Sequence, residues 1–270
     1  MHAGTVIGRY LAEVSETDAE GSTAEIYGDI RRVLGLPVVN LVYRHLAVEP
    51  VVLERVWRAL RPNLTSPIAE RAARRVANHA VPPIVVPIPA DALAAVGLDA
   101  ERARLVRATL DAYARANSLN LLGMHALLDG CPGNAERQET LEPPPAESIL
   151  PMAQLTTLPA TSVTLLDEMS AALVGGEQPR LVPSLLRHFA DDPALLALFW
   201  TALRPAAGAE LAAARGAVAT EARALAAELP RPVRALEERT LCETARRFVV
   251  AMSALLVAGE ALRVAIAEAP

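Results

Sequence analysis

Apolar residues along the chain recur with helical spacing. Leu53, Trp57 and Leu60 form one such stripe, and Leu196, Trp200 and Leu203 form another. Pro50 and Pro193 stand where each helix begins, a position at which a missing N–H costs nothing. Asp192 precedes Pro193 as an N-cap. Pro62 and Pro205 are expected to end the two helices. The stretches before them, residues 37–47 and 180–190, are apolar nearly all round and predict buried helices. Further helices are expected at 22–34, 68–80 and 99–128, and again at 162–174, 211–229 and 234–267. Residues 81–93 are apolar but carry four prolines, which predicts an extended loop rather than a strand.

The pattern occurs twice. Residues 36–62 and 179–205 align without a gap at a constant offset of 143, with 11 of 27 positions identical. Arg44/Arg187, His45/His188, Pro50/Pro193, Trp57/Trp200, Arg61/Arg204 and Pro62/Pro205 are among them. The chain therefore divides into a first helical repeat (1–130), a Gly/Pro-rich linker (131–155) and a second helical repeat (156–270). The predicted fold class is all-α: a pseudo-dimer of two similar multi-helix repeats, with the active-site cleft between the halves.

Composition narrows the picture. Apolar residues make up 52% of the 270, but there are only two Trp, four Tyr and three Phe, so Ala, Leu and Val must build the core. A net charge of −5 and the lack of a basic, aromatic-laced patch argue against nucleic-acid binding. The longest apolar run, residues 248–259, is too short to span a bilayer and reads as a buried helix. The N-terminus shows no secretory h-region, and Cys131 and Cys242 have neither metal nor redox spacing. A cytoplasmic protein without metal or cofactor is the expectation. No zinc, serine-hydrolase, P-loop or dinucleotide motif is present.

Residues kept in both halves, such as His45, His188 and the paired arginines, read first as scaffold. Polar residues present in one half alone are the better site candidates. Asn117 and Asn120, i and i+3, share one helix face among leucines and need partners or a ligand. Asn40 and Tyr43 flank the buried helix of the first half, and His125 lies nearby on the second of these faces; with His188 they are weaker pocket candidates. Glu25 and Asp29 are expected to pair with Arg31, Arg32 or solvent.

The segments "AEIYGDIRRVLGLPVVNLVYRHLAVEP", "VWRALRPN", "ARANSLNLLGMHALL" and "VPSLLRHFADDP" resemble the group I 2-haloacid dehalogenases, the DehI family. The resemblance runs from about residue 24 to 267. It implies an all-α pseudo-dimer whose site lies between the halves, and direct attack of an activated water on the halide-bearing carbon. It puts the substrate-binding positions at Val38, Leu41, Ser66, Asn117, Asn120, Ser184 and Leu185. Val38 and Leu41 replace larger aromatics, which predicts an enlarged pocket, and Asn120 replaces a tyrosine. Leu185 stands where the family has its water-activating aspartate, and a leucine accepts no proton.

This departure leaves three functional expectations. The first keeps nucleophilic displacement on a small carboxylic or amino-acid-like substrate but uses an amine of the substrate as nucleophile, closing an aziridine-type ring in secondary metabolism. Preorganisation alone can then supply much of the rate, with effective molarities of about 10⁵–10⁸ M. The second is hydrolytic dehalogenation with a relocated base, Asp191 or His188. The third is a non-catalytic binding or accessory subunit. The catalytic residues are not assigned. The expected partner is a small-molecule carboxylate, with homodimerisation or a small accessory protein left open.

Overall fold

The computed structural model describes residues 8–82, 85–133, 140–143, 145–267 and 269. Among these there are eleven α-helices and no strand. In chain order they are α1 (Gly21–Leu34), α2 (Leu41–Leu46), α3 (Pro50–Leu64), α4 (Pro67–Asn78), α5 (Ala90–Ala95), α6 (Ala100–Asp129), α7 (Ala160–Val174), α8 (Ser184–Arg187), α9 (Pro193–Leu203), α10 (Ala209–Ala226) and α11 (Arg239–Ala265).

The signals read from sequence act where expected at several ends. Pro50 and Pro193 occupy the first turns of α3 and α9. The Asp192 carboxylate accepts from the N–H groups of Ala194 and Leu195, each at 3.0 Å. Gly35 ends α1 in the left-handed region at φ 60°, where its lack of a Cβ removes the steric cost. Residues 85–89 form the expected loop, and 83–84 lie outside the described residues. The short α5 was not anticipated.

Three expectations are corrected. The 37–47 stretch is helical only over α2, because the Val39 N–H is taken by the Glu16 carboxylate at 2.9 Å and Asn40 is extended. The 180–190 stretch keeps only the four residues of α8: Arg180 pairs its backbone with Arg9 and Leu11, and Pro183 holds Val182 out of the helical region. Pro62 does not end α3, which runs on to Leu64. The carbonyl that Pro62 leaves unbonded belongs to exposed Arg58, where water serves it.

The two longest helices, α6 and α11, pack along each other and form the largest interhelical interface. From Ala116 to Leu127 every side chain of α6 is buried, with α3, α4, α10 and α11 around it. Gly123 permits this: a Cβ there would stand 3.1 Å from a Leu60 methyl on α3. By length and composition α11 is apolar enough to cross a membrane, but most of its apolar window is buried in this core. Residues 134–139 and 144 of the linker lie outside the described residues. The flanking parts are tied down by a two-bond bridge between Cys131 and Val233 and by a bond from the Leu150 N–H to the Thr109 hydroxyl.

The buried arginines of the repeat have a shared function. Arg44 and Arg187, 1% and 5% exposed, both reach the carboxylate of Glu13. Arg44 Nη2 lies 2.9 Å from one oxygen and Arg187 Nη1 3.0 Å from the other. Each guanidinium also donates to a carbonyl, Arg44 to Val39 at 2.8 Å and Arg187 to Ala153 at 2.9 Å. One extended N-terminal segment thus clasps matching positions in both halves. Asp29 performs a similar service in the first half, accepting from Trp57 Nε1 (2.8 Å), Arg61 Nε (2.6 Å) and Arg32. The Trp200 indole N–H has no counterpart acceptor.

Removing one partner of a buried charge cluster is costly because the other charges stay buried. Glu13→Gln is therefore expected to lower stability by about 3 kcal/mol. Urea unfolding of the two proteins checks this, and a change under 1 kcal/mol would show that solvent already screens the arginines.

Candidate active site

Beside the clasp lies a small void of about 30 Å³. Asn40, Leu41, Tyr113 and Asn117 line one part of its wall, and Ser184, Phe248, Met252 and Leu255 line another. Tyr113 and Asn117 are one turn apart on α6, so they face the same way. A larger void of about 200 Å³ adjoins it, lined by Leu110, Leu185, Leu256, Glu260 and Arg263 among others. Tyr113 and Leu255 belong to both walls and stand between the two spaces.

The polar groups of the smaller void are unevenly satisfied. Asn40 Nδ2 donates to Asn117 Oδ1 at a long 3.5 Å. Asn40 Oδ1 and Asn117 Nδ2 have no partner, although both residues are buried. Such an amide pair leaves one acceptor and one donor unspent even if both amides are flipped. Buried and unpaired amide atoms cost roughly 1–3 kcal/mol each, so a ligand or water that pairs with them binds favourably.

Ser184 connects the void to the clasp. Its hydroxyl accepts from Arg44 Nη2 at 3.2 Å. The two arginines and one glutamate leave a positive charge unbalanced behind Ser184, which favours an anionic group in front of it. The Tyr113 hydroxyl lies 3.0 Å from His188 Nε2, and His188 Nδ1 lies 2.6 Å from the Leu150 carbonyl. Since Nδ1 must carry the proton to bond a carbonyl, Nε2 is the acceptor and Tyr113 donates to it. Burial, with help from Arg187 and Arg44, pushes the His188 imidazole down to about 4, although its bonds to backbone carbonyls oppose this. Burial likewise pushes the Tyr113 phenol up, so it stays protonated.

The sequence-predicted positions divide into two groups. Leu41, Asn117, Ser184 and the weaker candidate Asn40 meet at the smaller void, while Leu185, 1% exposed, faces the larger one. Six others, Val38, Tyr43, Ser66, Asn120, His125 and His188, lie in neither wall. Val38 is half-buried against the core. Ser66 caps α4, its hydroxyl accepting from the Ala69 N–H at 3.1 Å. Asn120 is buried and accepts from the Tyr43 hydroxyl at 2.8 Å. His125 sits near the end of α6, 4.0 Å from Asp129, its imidazole pushed down by burial. His188 reaches the void only through Tyr113. Leu41 also lines a wider cavity of about 470 Å³ together with Leu11, Glu13, Val182 and Arg187, whereas Val38 lines none of these spaces.

Sequence reasoning missed Tyr113, although its place four residues before Asn117 on one helix face was a usable signal. Glu13 carried no such signal. The candidate replacement bases fare differently. Asp191 is exposed, and Asp192 is spent on its cap and on Arg102 at 2.8 Å. No carboxylate lines the smaller void, and among the described residues no cluster of His, Cys, Asp and Glu could hold a metal ion.

No family model matches the chain. Two curated proteins are similar over parts of it. One is an (R)-2-haloacid dehalogenase of Pseudomonas putida, 39% identical over 54 residues, 20% of this chain and 18% of that protein. The other is a configuration-inverting 2-haloacid dehalogenase of Pseudomonas sp. (strain 113), 30% identical over 111 residues, 41% of this chain and 36% of that protein. The matching stretches span well under half of either relative. Solved structures match far more of the chain. A D-2-haloacid dehalogenase mutant superposes with a TM-score of 0.77 at 19% identity, covering 95% of this chain and 94% of that one. Complexes of that enzyme type with D-2-CPA and with L-LA, both small carboxylates, give 0.76 and 0.77 at 20% identity over the same shares. By distant sequence similarity and by a fold shared over almost its whole length, the chain is related to the 2-haloacid dehalogenases.

Proposed function

We propose that this protein catalyses nucleophilic displacement of a leaving group from a small carboxylic or amino-acid-like substrate. In this reading its two helical repeats, 1–130 and 156–270, form a pseudo-dimer joined by the 131–155 linker, and the voids at their junction are the active site. The nucleophile is an amine of the substrate itself, so that displacement closes an aziridine-type ring.

One observation carries the reading. Asn40 and Asn117 line the smaller void and carry an unspent acceptor, Asn40 Oδ1, and an unspent donor, Asn117 Nδ2, both almost wholly covered in the absence of a ligand, and no carboxylate lines it. The acceptor can orient an amine N–H and the donor can hold a departing anion or a carboxylate oxygen. Leu185 removes the base on which water attack depends in the family, a loss typically worth about 10²–10⁴ in rate. An internal amine needs no enzyme-bound water, only an acceptor for its proton, and gains from being held against the reacting carbon. The positive charge behind Ser184 supports the choice of an anionic substrate.

A volume near 30 Å³ is that of one water molecule in the liquid. The substrate therefore enters by shifting Tyr113 and Leu255, which merges the two voids. Hydrolytic dehalogenation is the second reading, and the contact of His188 with cavity-lining Tyr113 favours it over any role for exposed Asp191.

Two experiments test the proposal. Purified protein incubated with O-sulfoserine should release sulfate and form aziridine-2-carboxylate, measured by mass spectrometry. Chloride release from either enantiomer of 2-chloropropionate, without ring formation, would favour hydrolysis. Tight binding of these acids with no turnover would favour a non-catalytic subunit. For whichever acid is turned over, Asn117→Ala should raise KM about tenfold, as expected for one lost buried hydrogen bond of about 1–1.5 kcal/mol. An unchanged KM would remove Asn117 from the site.

A further inference from the structure

A displacement at neutral pH leaves one proton to be collected, and the position that collects it in the dehalogenases is Leu185 here. The smaller void contains one hydroxyl that is not tied to a cation, that of Tyr113. The geometry around it is directional. The Leu150 carbonyl fixes the His188 proton on Nδ1 (2.6 Å), Nε2 is left as an acceptor, and Tyr113 donates its proton to that acceptor (3.0 Å). The rings meet edge to face, with centroids 5.2 Å apart. With its proton directed at His188, the Tyr113 oxygen has two lone pairs, one engaged by the Ser184 hydroxyl and one left to accept from a ligand in the void. His188 has no route to the void except through this oxygen.

We infer that Tyr113 and His188 together form the proton acceptor of the displacement, in place of the missing aspartate. The inference rests on the reading of the voids as a displacement site. The nucleophile's lone pair forms the new bond to carbon, and the carbon–leaving-group bond breaks with its electron pair on the leaving group. The nucleophile's N–H or O–H proton passes to the Tyr113 oxygen while Tyr113's own proton passes to His188 Nε2. The products are the displaced anion and an imidazolium whose Nδ1–H remains on Leu150. The imidazolium gives its proton to solvent when the anion leaves. Tyr113 touches the ligand, and His188 acts through it.

The charges around the pair suit this task. Burial, aided by Arg187 and Arg44, keeps His188 neutral and ready to accept before substrate arrives, and the charged groups felt by Tyr113 are Arg44 of α2, Arg187 of α8 and Glu16 of the N-terminal segment. Binding of a carboxylate and departure of an anion add negative charge and raise the proton affinity of His188 at the moment the proton moves. The alternative acceptor is Glu260 in the larger void, which is paired with Arg263 at 2.9 Å.

The test has two arms. The first needs no turnover: ¹⁵N NMR of histidine-labelled wild-type protein, with and without lactate as a carboxylate probe. His188 should appear as the neutral Nδ1–H tautomer at pH 7, and its titration midpoint should rise by a unit or more with lactate. The Nε2–H tautomer, an imidazolium at pH 7, or a midpoint that lactate leaves in place would overturn the inference. The second arm uses whichever acid is turned over. His188→Gln keeps an acceptor for Tyr113 but cannot take a proton. It and Tyr113→Phe should each lower kcat by 100-fold or more with KM changed less than threefold, and the acidic limb of the wild-type kcat profile should vanish in His188→Gln. Retained kcat in His188→Gln, with loss in Glu260→Gln, would move the acceptor to Glu260 and overturn the pair. Failure of every acid to turn over would sink the displacement reading, and the NMR arm would still decide whether Tyr113 and His188 are an acceptor pair.

Discussion

Two buried guanidinium groups held on one carboxylate organise this molecule. Arg44 and Arg187 occupy matching places in the two repeats, and neither could be buried without Glu13. The cluster also determines the chemistry beside it. Arg44 holds the Ser184 hydroxyl, and burial with help from Arg187 and Arg44 depresses the His188 imidazole, which in turn orients Tyr113. Structural charge and site chemistry are therefore one network. A change made for stability at Glu13 would alter the electrostatics felt by a ligand, and a change of ligand charge would be felt by the clasp.

The site is also shaped by what the core could not spare. α6 is buried all round in its middle, yet carries Asn117 and Asn120 there. Asn120 is spent on Tyr43, which leaves Asn117 with Asn40 as the polar groups facing the void. Leu185 closes the neighbouring space with hydrocarbon where its relatives are described as dehalogenases. The fold is shared with those proteins over almost the whole chain, but function resides in a few side chains carried by a common scaffold.

Much of the fold was legible because its signals are local. Prolines at first turns, the Asp192 cap and the leucine–tryptophan stripes each depend on a few neighbouring residues, and they reappear at α3 and α9. The ends of α2 and α8 were not legible, because distant groups decide them: Glu16 takes the Val39 N–H, and Arg9 and Leu11 take the backbone of Arg180. The site follows the same rule. Asn117 was visible as a polar residue in apolar company, whereas Ser184 came only from the family resemblance. Ser66 was equally polar, but it serves its own helix start. Glu13 lies in a segment without periodicity, so only the three-dimensional arrangement reveals that both arginines need it.

The clasp joins residues that synthesis separates widely. Glu13 and its second partner, Arg187, lie 174 positions apart. In a growing chain the carboxylate has only Arg44 until that residue arrives, and residues 9–11 have no Arg180 backbone to lie against. The clasp therefore adds one of the long-range contacts that raise contact order. Its carboxylate lies outside both copies of the repeated sequence motif, 36–62 and 179–205, yet each copy supplies one of the arginines that it holds.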